Sequence, residues 1–423
     1  MNNILDVFSQ FIPIFQALSQ FWWIILPVLL YFMFEQLWMD FVIEFSKDAF
    51  FAKLQWTYLE IIPPKDIEKG PKGFESLYQG IAGVVVTIVP LDKYLNGTLM
   101  DRFSFEIVGE EGVMHFYVRT QKKFRNLIEA QLYAQFPGTE IVEVEDYTQK
   151  FPKTVPNKDW DLWGADIMFA EPDELPIKTY DKFEEDITGT MIDPLAAMAE
   201  VIGTLGPGQH IWLQYVLDPQ PELWKKDEAH RKIIDQLAKK TEKKEMNFFD
   251  HLIDVFSNLF KALSGPVEFA SAEKNEDQPL EFKLTPGEKE ALKATEENFM
   301  HNFFRVKMRL IILGRREVFD KTFITAFFGT IKQFSDLNLN SFKPEDASKT
   351  YAYYWMHKER LVYRQRKIYR RYRDRDMTGK TIYMSSKELA TVWHFPNMEV
   401  QAPSLTQVQA KRGSAPANLP VGE

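Results

Sequence analysis

The sequence predicts an α+β protein: an N-terminal transmembrane helix, two ferredoxin-like split βαβ units, the second with a helical insertion, and a basic C-terminal segment. Three observations indicate this organisation. Residues 7–34 contain no charged side chain. The residues that follow alternate between the periodicity of strands and that of amphipathic helices. A run of arginines and tyrosines then begins near residue 357.

Composition narrows the class of protein. With 423 residues, of which 45% are hydrophobic, the chain has material for two or three folded domains, so a largely disordered protein is excluded. The formal net charge of -9 excludes a protein that binds nucleic acid over its whole surface. Cysteine is absent, which excludes disulfides, thiolate nucleophiles, iron–sulfur clusters and cysteine-ligated zinc, and suits a reducing compartment.

The N-terminal apolar stretch predicts a membrane anchor. A bilayer crossing takes about 20 apolar residues in a helix, and residues 11–34 meet that length. A signal peptide is a poorer explanation, because MNNILD lacks Lys and Arg and no small-residue cleavage site follows. A buried helix of a soluble protein is the other alternative. The candidate anchor residues are Phe21, Trp22, Trp23, Ile24, Ile25, Leu26, Leu29 and Leu30.

Basic residues near the apolar stretch predict its orientation. None precedes it, whereas Lys47, Lys53 and Lys65 follow it. Basic residues favour the cytoplasmic side of a membrane. We therefore expect a single-pass protein of the inner (cytoplasmic) membrane with its N-terminus outside and its body in the cytoplasm.

Periodicity and turn residues divide the chain into four parts. Residues 1–54 form the anchor and a juxtamembrane helix, and 55–150 form the first α/β unit in the order strand, helix, strand, strand, helix, strand. Residues 151–345 form the second unit, which contains the helical insertion 221–282. Residues 346–423 form the basic segment and a C-terminal tail rich in Ala, Gln and Pro.

Two local patterns give finer predictions. In the strand EIVEVEDY, alternation places Glu140, Val142, Val144 and Asp146 on one face, which indicates a surface strand. In the second unit, Asp193 is expected to cap a helix that has Pro194 in its first turn.

No arrangement of residues indicates catalysis. The nearest match to a phosphate-binding loop is TGKT at residues 378–381, but Asp374 stands where the first glycine is required. The seven histidines show no metal-ligand spacing, and no G-x-S-x-G sequence occurs. We therefore expect no enzyme, no cofactor and no metal.

The basic segment is the strongest local signal for binding. Residues 357–375 carry nine Lys and Arg against Glu359 and Asp374, with tyrosines between them. Nucleic acid and anionic lipid are candidate ligands, and a solvated helix face that balances the acidic body is the alternative. The candidate contact residues are Arg364, Arg366, Lys367, Arg370, Arg371, Arg373 and Arg375.

Several longer runs carry a family resemblance. They include FSFEIVGEEGVMHFYVRTQKKFRNLIEAQLYAQFPGTEIVEVEDY, DLWGADIMFAEPDELPIKTYDKFE, IDPLAAMAEVIGTL, SSKELATVWHFPN and APANLP. In order and spacing these blocks resemble the region that precedes the motor domain in type IV secretion coupling-protein-like, HerA/FtsK-related membrane ATPases of candidate-phyla bacteria. The resemblance covers most of residues 56–420, and the P-loop motor itself has no counterpart in this sequence.

The resemblance implies a function rather than a catalytic site. It implies a non-catalytic, membrane-anchored scaffold or adaptor of a type IV secretion or conjugation-like translocation machine, a homo-oligomer that works with a separate or missing P-loop ATPase. Contact with DNA or anionic lipid would fall on the basic segment. The alternative is a self-assembling structural membrane protein that forms a ring or shell and has no role with nucleic acid.

Overall fold

The computed structural model describes residue 23, residues 26–35, residue 37 and residues 53–64, 70–84, 100–183, 193–220 and 284–396. The chain divides into two compact units. One contains Met1–Trp56 and Val85–Asp101, and the other contains Thr57–Val84 and Arg102–Glu423. The predicted insertion 221–282 and the C-terminal tail from residue 397 lie outside the described residues.

The first unit contains part of the predicted anchor. Residues 26–35 are helical, and the candidate anchor residues Trp23, Leu26, Leu29 and Leu30 are exposed. Phe21, Trp22, Ile24 and Ile25 lie outside the described residues. Within the part of the chain that the structure describes, no helix combines the length and the apolar character that a membrane crossing requires.

The second unit is built on a single, mostly antiparallel sheet, which confirms the α+β class. Its strand order is β4-β1-β3-β2-β6-β7-β5-β8, and β9 pairs with one end of β7. The strands are β1 (Trp56–Ile62), β2 (Phe103–Glu110), β3 (Val113–Gln121), β4 (Glu140–Glu143), β5 (Trp160–Phe169), β6 (Gln209–Pro219), β7 (Phe303–Arg315), β8 (Phe342–Pro344) and β9 (Ile382–Ser385).

The sheet has two halves with the same strand order. The first half reads β4-β1-β3-β2, and the second, taken from the opposite edge, reads β8-β5-β7-β6. The halves meet where β2 pairs antiparallel with β6 over the whole length of β2, from Phe103 opposite Leu217 to Glu110 opposite His210. The two α/β units that the sequence predicts therefore share one sheet, and the described parts of both belong to the second compact unit.

The helices divide unequally between the two faces of the sheet. They are α1 (Lys72–Ala82), α2 (Arg125–Gln135), α3 (Ala196–Gly203), α4 (Pro286–Asn298), α5 (Thr322–Ile331), α6 (His357–Arg373) and α7 (Ser386–Val392). On one face, side chains of α1, α2, α3, α5 and α7 pack with Phe103, Phe105 and Ile107 of β2 in the larger core. Because strand side chains alternate, Val108 points to the other face, where α6 packs.

One local prediction is wrong in part and another is wrong. Strand β4 is exposed at Glu140 and Val142, as expected of a surface strand, but it ends at Glu143. Asp146 is instead a buried residue whose side chain accepts the backbone N–H of Thr148 at the start of a 3-10 helix. Helix α3 begins at Ala196 after Leu195, so Asp193 does not cap it. Instead Asp193 accepts the backbone N–H of Leu195 and lies 3.1 Å from the buried ring of His394.

Candidate anion-binding cleft on the basic helix

Helix α6 has a buried side and a basic outer side. Its buried residues are Gln365, Ile368, Tyr369 and Tyr372, which recur at the spacing that places side chains on one helix face. Ile368, Tyr369 and Tyr372 pack with Trp212 and other apolar residues of the second sheet face. Gln365 donates to the backbone oxygen of Leu162 at 2.6 Å.

A row of polar side chains crosses the sheet beneath α6. Glu106 of β2 stands opposite Gln214 of β6, Gln214 opposite Arg309 of β7, and Arg309 opposite Asp166 of β5. All four side chains are buried. Gln214 donates to Glu106 at 3.0 Å and Arg309 donates to Asp166 at 2.8 Å. Neighbouring side chains of the row therefore supply each other's buried polar groups with hydrogen-bond partners.

This row and Arg375 fix the C-terminal end of α6. Gln214 donates to the backbone oxygen of Tyr372 at 3.1 Å, and Arg309 donates to that of Arg371 at 2.8 Å. Arg375 donates to the backbone oxygen of Arg373 at 2.7 Å. The last carbonyls of a helix lack partners inside it and carry partial negative charge, so donors from two arginines and an amide are well placed to stabilise them.

Arg375 is a correction to the predicted set of surface contacts. Its side chain is buried, and its guanidinium lies 3.0 Å from Glu106 and 2.6 Å from Asp146. Burial alone would raise the pKa of each carboxyl, but the charge and hydrogen bonds of Arg375 outweigh it, so both pKa values lie below the ordinary range. Arg375 is therefore a buried ion-pair partner and is not available to a surface ligand.

The outer side of α6 forms one wall of a cleft. The other wall is the 3-10 helix Tyr147–Lys150 together with the loop that follows it. The cleft has two adjoining pockets of about 380 Å³ and about 340 Å³, and Lys153 and Arg370 line both of them. Arg373 and Asp374 line only the first pocket, together with Asp146.

Positive charge is concentrated in the second pocket. Its charged lining residues are Lys153, Arg366, Lys367 and Arg370, and no acidic residue lines it. Among the described residues, these four side chains form no ion pair, although the Lys367 ammonium lies 5.8 Å from the ring centre of Tyr363. Four cations around an open pocket create a positive potential that attracts anions, and Arg and Lys are the side chains that bind phosphate groups.

The two remaining predicted contact residues, Arg364 and Arg371, contact loops beside α6. Arg364 donates to the backbone oxygens of Lys349 and Tyr351 at 3.1 and 2.6 Å. Arg371 lies 3.8 Å from Asp376. Of the seven predicted contact residues, four therefore line the cleft, two contact neighbouring loops and one is buried.

Other predicted features of the site can also be placed. The TGKT sequence lies between α6 and β9, and β9 rather than a long helix follows it, so it has neither neighbour of a phosphate-binding loop. No cluster of His, Asp and Glu among the described residues could hold a metal ion. Sequence reasoning missed Lys153, which is remote from the basic segment and has only a loop-rich sequence around it.

Comparison with protein families assigns the chain to one of them. A family model described as a domain of unknown function, DUF8128, matches residues 44–408. The chain belongs to the DUF8128 family. The matched part includes every strand of the sheet, helix α6 and both walls of the cleft, so the cleft lies within the DUF8128 domain. A comparison with curated proteins found no match.

Proposed function

We propose that this chain is a non-catalytic, membrane-anchored scaffold of a translocation machine and that its cleft on α6 binds the phosphate backbone of a nucleic acid. One observation carries the binding role: Lys153, Arg366, Lys367 and Arg370 surround an open pocket that no acidic residue lines. A phosphate backbone supplies a series of anions at regular spacing, and its binding by Lys and Arg releases condensed counterions.

The buried side of α6 supports this role. A strongly basic helix repels itself, so it needs fixed partners to hold a defined position. Arg309 and Gln214 bind its last carbonyls from the sheet, and Arg375 binds two buried carboxylates beside it. The outer cations thus stand on a rigid element, which lowers the entropy lost when a ligand binds.

The scaffold role rests on the sequence resemblance. The order of sequence blocks resembles the region before the motor of coupling-protein-like membrane ATPases, and each half of the sheet has the strand order of a ferredoxin-like split βαβ unit. Under this proposal the apolar N-terminal segment anchors the chain in the inner membrane, the body faces the cytoplasm, and copies of the chain assemble beside a separate P-loop ATPase.

A binding titration tests the cleft. Fluorescence anisotropy with a labelled oligonucleotide would compare the full chain with Arg366→Gln/Arg370→Gln. The control is Lys289→Gln/Lys293→Gln, which removes the same charge from exposed positions of α4. We expect the first double variant to bind about 30-fold more weakly, because two lost phosphate contacts at about 1 kcal/mol each weaken binding by about 2 kcal/mol. The control should bind as the wild type does.

Other outcomes would favour other roles. Equal losses in the two double variants would indicate attraction by total charge rather than by the cleft. Binding to vesicles that contain phosphatidylglycerol, with none to the oligonucleotide, would make anionic lipid the ligand. A discrete assembly that forms without nucleic acid, from a chain that binds none, would favour the alternative of a self-assembling structural membrane protein.

A further inference from the structure

A turn before α6 exposes an unusual series of aromatic side chains. Residues 351–356, here called the aromatic turn, read Tyr-Ala-Tyr-Tyr-Trp-Met. Tyr354 is 88% exposed and Trp355 is 84% exposed, and Tyr351, Tyr353 and Met356 are also exposed. Single exposed apolar residues are common on protein surfaces, but a contiguous group of them indicates a binding surface.

The backbone of the aromatic turn adopts an unfavourable conformation. Tyr354 has φ 69° and Met356 has φ 53°, values in the left-handed region that residues with large side chains rarely adopt. Such conformations persist where the surrounding structure imposes them, and they cluster at functional sites. The turn therefore exposes its aromatic rings at a cost in backbone conformational free energy.

Contacts with α6 hold the aromatic turn in place. Arg360 donates to the backbone oxygen of Tyr353 at 3.2 Å, and Arg364 donates to that of Tyr351 at 2.6 Å. The rings of Tyr351 and Tyr353 pack edge to face with centres 4.2 Å apart. These contacts fix the base of the turn and leave Tyr354 and Trp355 at its tip.

The aromatic turn and the cleft adjoin the same helix. Arg364 contacts the turn, and Lys367, which lines the cleft, follows three residues later, so their side chains lie about 60° apart around α6. The rings of the turn nevertheless line neither pocket of the cleft. The chemistry of the turn itself therefore decides its ligand.

We propose that the aromatic turn inserts into the headgroup region of an anionic bilayer. Trp and Tyr favour this region because their rings are apolar while the indole N–H and phenol O–H remain hydrated. Lys349, Lys358 and Arg360 flank the turn and can attract anionic headgroups. The two most exposed rings of the turn, those of Tyr354 and Trp355, belong to adjacent residues, which suits their joint insertion into a deformable surface.

The first compact unit supplies an independent reason to choose a bilayer as the ligand. Its described helix, residues 26–35, exposes Leu29, Phe32 and Phe34 and belongs to a stretch of sequence without charged residues before Glu35. Each of the two units thus carries an apolar surface of its own. A bilayer is a ligand that suits both surfaces.

The absence of cysteine allows a direct test with one probe per molecule. Trp355→Cys in the full chain would be labelled with the fluorophore NBD and mixed with vesicles of phosphatidylcholine and phosphatidylglycerol. Leu337→Cys, at a fully exposed position away from the turn, provides the matched control. We expect an emission shift to shorter wavelength and about twofold quenching by nitroxide-labelled lipid at position 355, with neither change at position 337.

Three results would overturn the proposal. The first is that iodide, a quencher dissolved in the water, quenches the probe at position 355 as strongly with vesicles as in buffer alone. This result would count whether or not the chain floats with the vesicles on centrifugation. The second is an emission shift caused by an oligonucleotide without lipid, which would make the turn a base-stacking surface. The third is a shift that follows the concentration of unlabelled chain, which would make it a contact between copies. Because neither cysteine variant alters the cleft, oligonucleotide binding reports on the proposed function separately.

Discussion

Arg375 donates to both carboxylate oxygens of Glu106, through Nε at 3.0 Å and through Nη2 at 3.2 Å. The two residues are separated by 269 positions of sequence. Their contact joins the segment after α6 to strand β2, which lies at the junction of the two halves of the sheet. The same guanidinium binds Asp146, so three charged groups form a buried cluster under the C-terminal end of the basic helix.

Loss of Arg375 is expected to destabilise the fold strongly. Arg375→Met leaves the carboxylates of Glu106 and Asp146 buried without their cation, and breaking a buried ion pair in this way costs about 3–5 kcal/mol. Arg366→Gln, on the exposed side of the same segment, is the control and should change the free energy of unfolding by less than about 0.5 kcal/mol. Urea unfolding measures both, and equal midpoints for the two variants would contradict the structural role of Arg375.

Close packing between α6 and the sheet predicts an asymmetry between two glycines. A Cβ atom at Gly164 would lie 3.1 Å from the backbone oxygen of Leu310 and 3.2 Å from Cγ2 of Ile368, whereas at Gly329 in α5 it would meet nothing within 4 Å. We expect Gly164→Ala to lower the free energy of unfolding by about 1–3 kcal/mol. Gly329→Ala should raise it by about 0.5–1 kcal/mol, because alanine favours helix.

Thermal or urea unfolding of the two variants measures this difference. A Gly164→Ala variant as stable as the wild type would mean that Gly164 has more room between β7 and α6 than the structure gives it. The space around Gly164, rather than glycine flexibility, is what the experiment reports, because Gly164 needs no left-handed backbone.

Glu388 predicts a pH dependence of stability near neutrality. Its side chain is buried at the start of α7, and burial raises its pKa from 4.5 to about 7. The folded protein therefore holds this proton more tightly than the unfolded chain. The resulting contribution is fully present below about pH 4.5 and is lost as the pH rises through about 7, a change of about 3 kcal/mol.

The pH dependence, rather than the absolute stability, is the quantity to compare. Glu388→Gln cannot titrate, so its free energy of unfolding should lack the decrease that the wild type shows across this window. Glu200→Gln alters an exposed carboxyl of α3 and should keep the decrease. If Glu388→Gln retained the wild-type profile, another group would be responsible.

The left-handed backbone at Tyr354 predicts a stabilising substitution. Asparagine adopts this conformation more readily than tyrosine, so Tyr354→Asn should raise the free energy of unfolding by about 0.5–1 kcal/mol while removing an exposed ring from the aromatic turn. Tyr353→Asn, at a neighbouring exposed position without positive φ, is the control and should not stabilise the protein. Urea unfolding measures the free energy of unfolding of both variants, and equal effects at the two positions would exclude backbone strain as the cause.

Local sequence patterns predict the helices and strands of the second compact unit well. The β2–β3 hairpin is expected from alternating residues around Glu110-Glu111-Gly112, and the structure has strands on both sides of Glu111 and Gly112, both with positive φ. Helix α4 begins with a capping box formed by Thr285 and Glu288. Hairpins and helix caps both depend on residues close together in sequence, so local patterns are able to identify such features.

Features that depend on distant residues are not predictable in the same way. Nothing near Glu106 in sequence distinguishes it from a surface acid of an alternating strand, because its partner Arg375 comes 269 positions later. The pairing of β2 with β6, which turns two units into one sheet, depends on the register of two remote strands. Composition identifies the basic segment, but only the buried row beneath α6 separates its structural arginine from those that line the cleft.

The salt dependence of oligonucleotide affinity tests the central claim most directly. We would measure the slope of log K against log salt concentration for the wild type and for Arg366→Gln/Arg370→Gln. Removing one phosphate-binding side chain should reduce the slope by about one, so we expect a reduction of about two together with weaker binding. An unchanged slope in the double variant would contradict the assignment of the cleft on α6 as the site that binds phosphate groups.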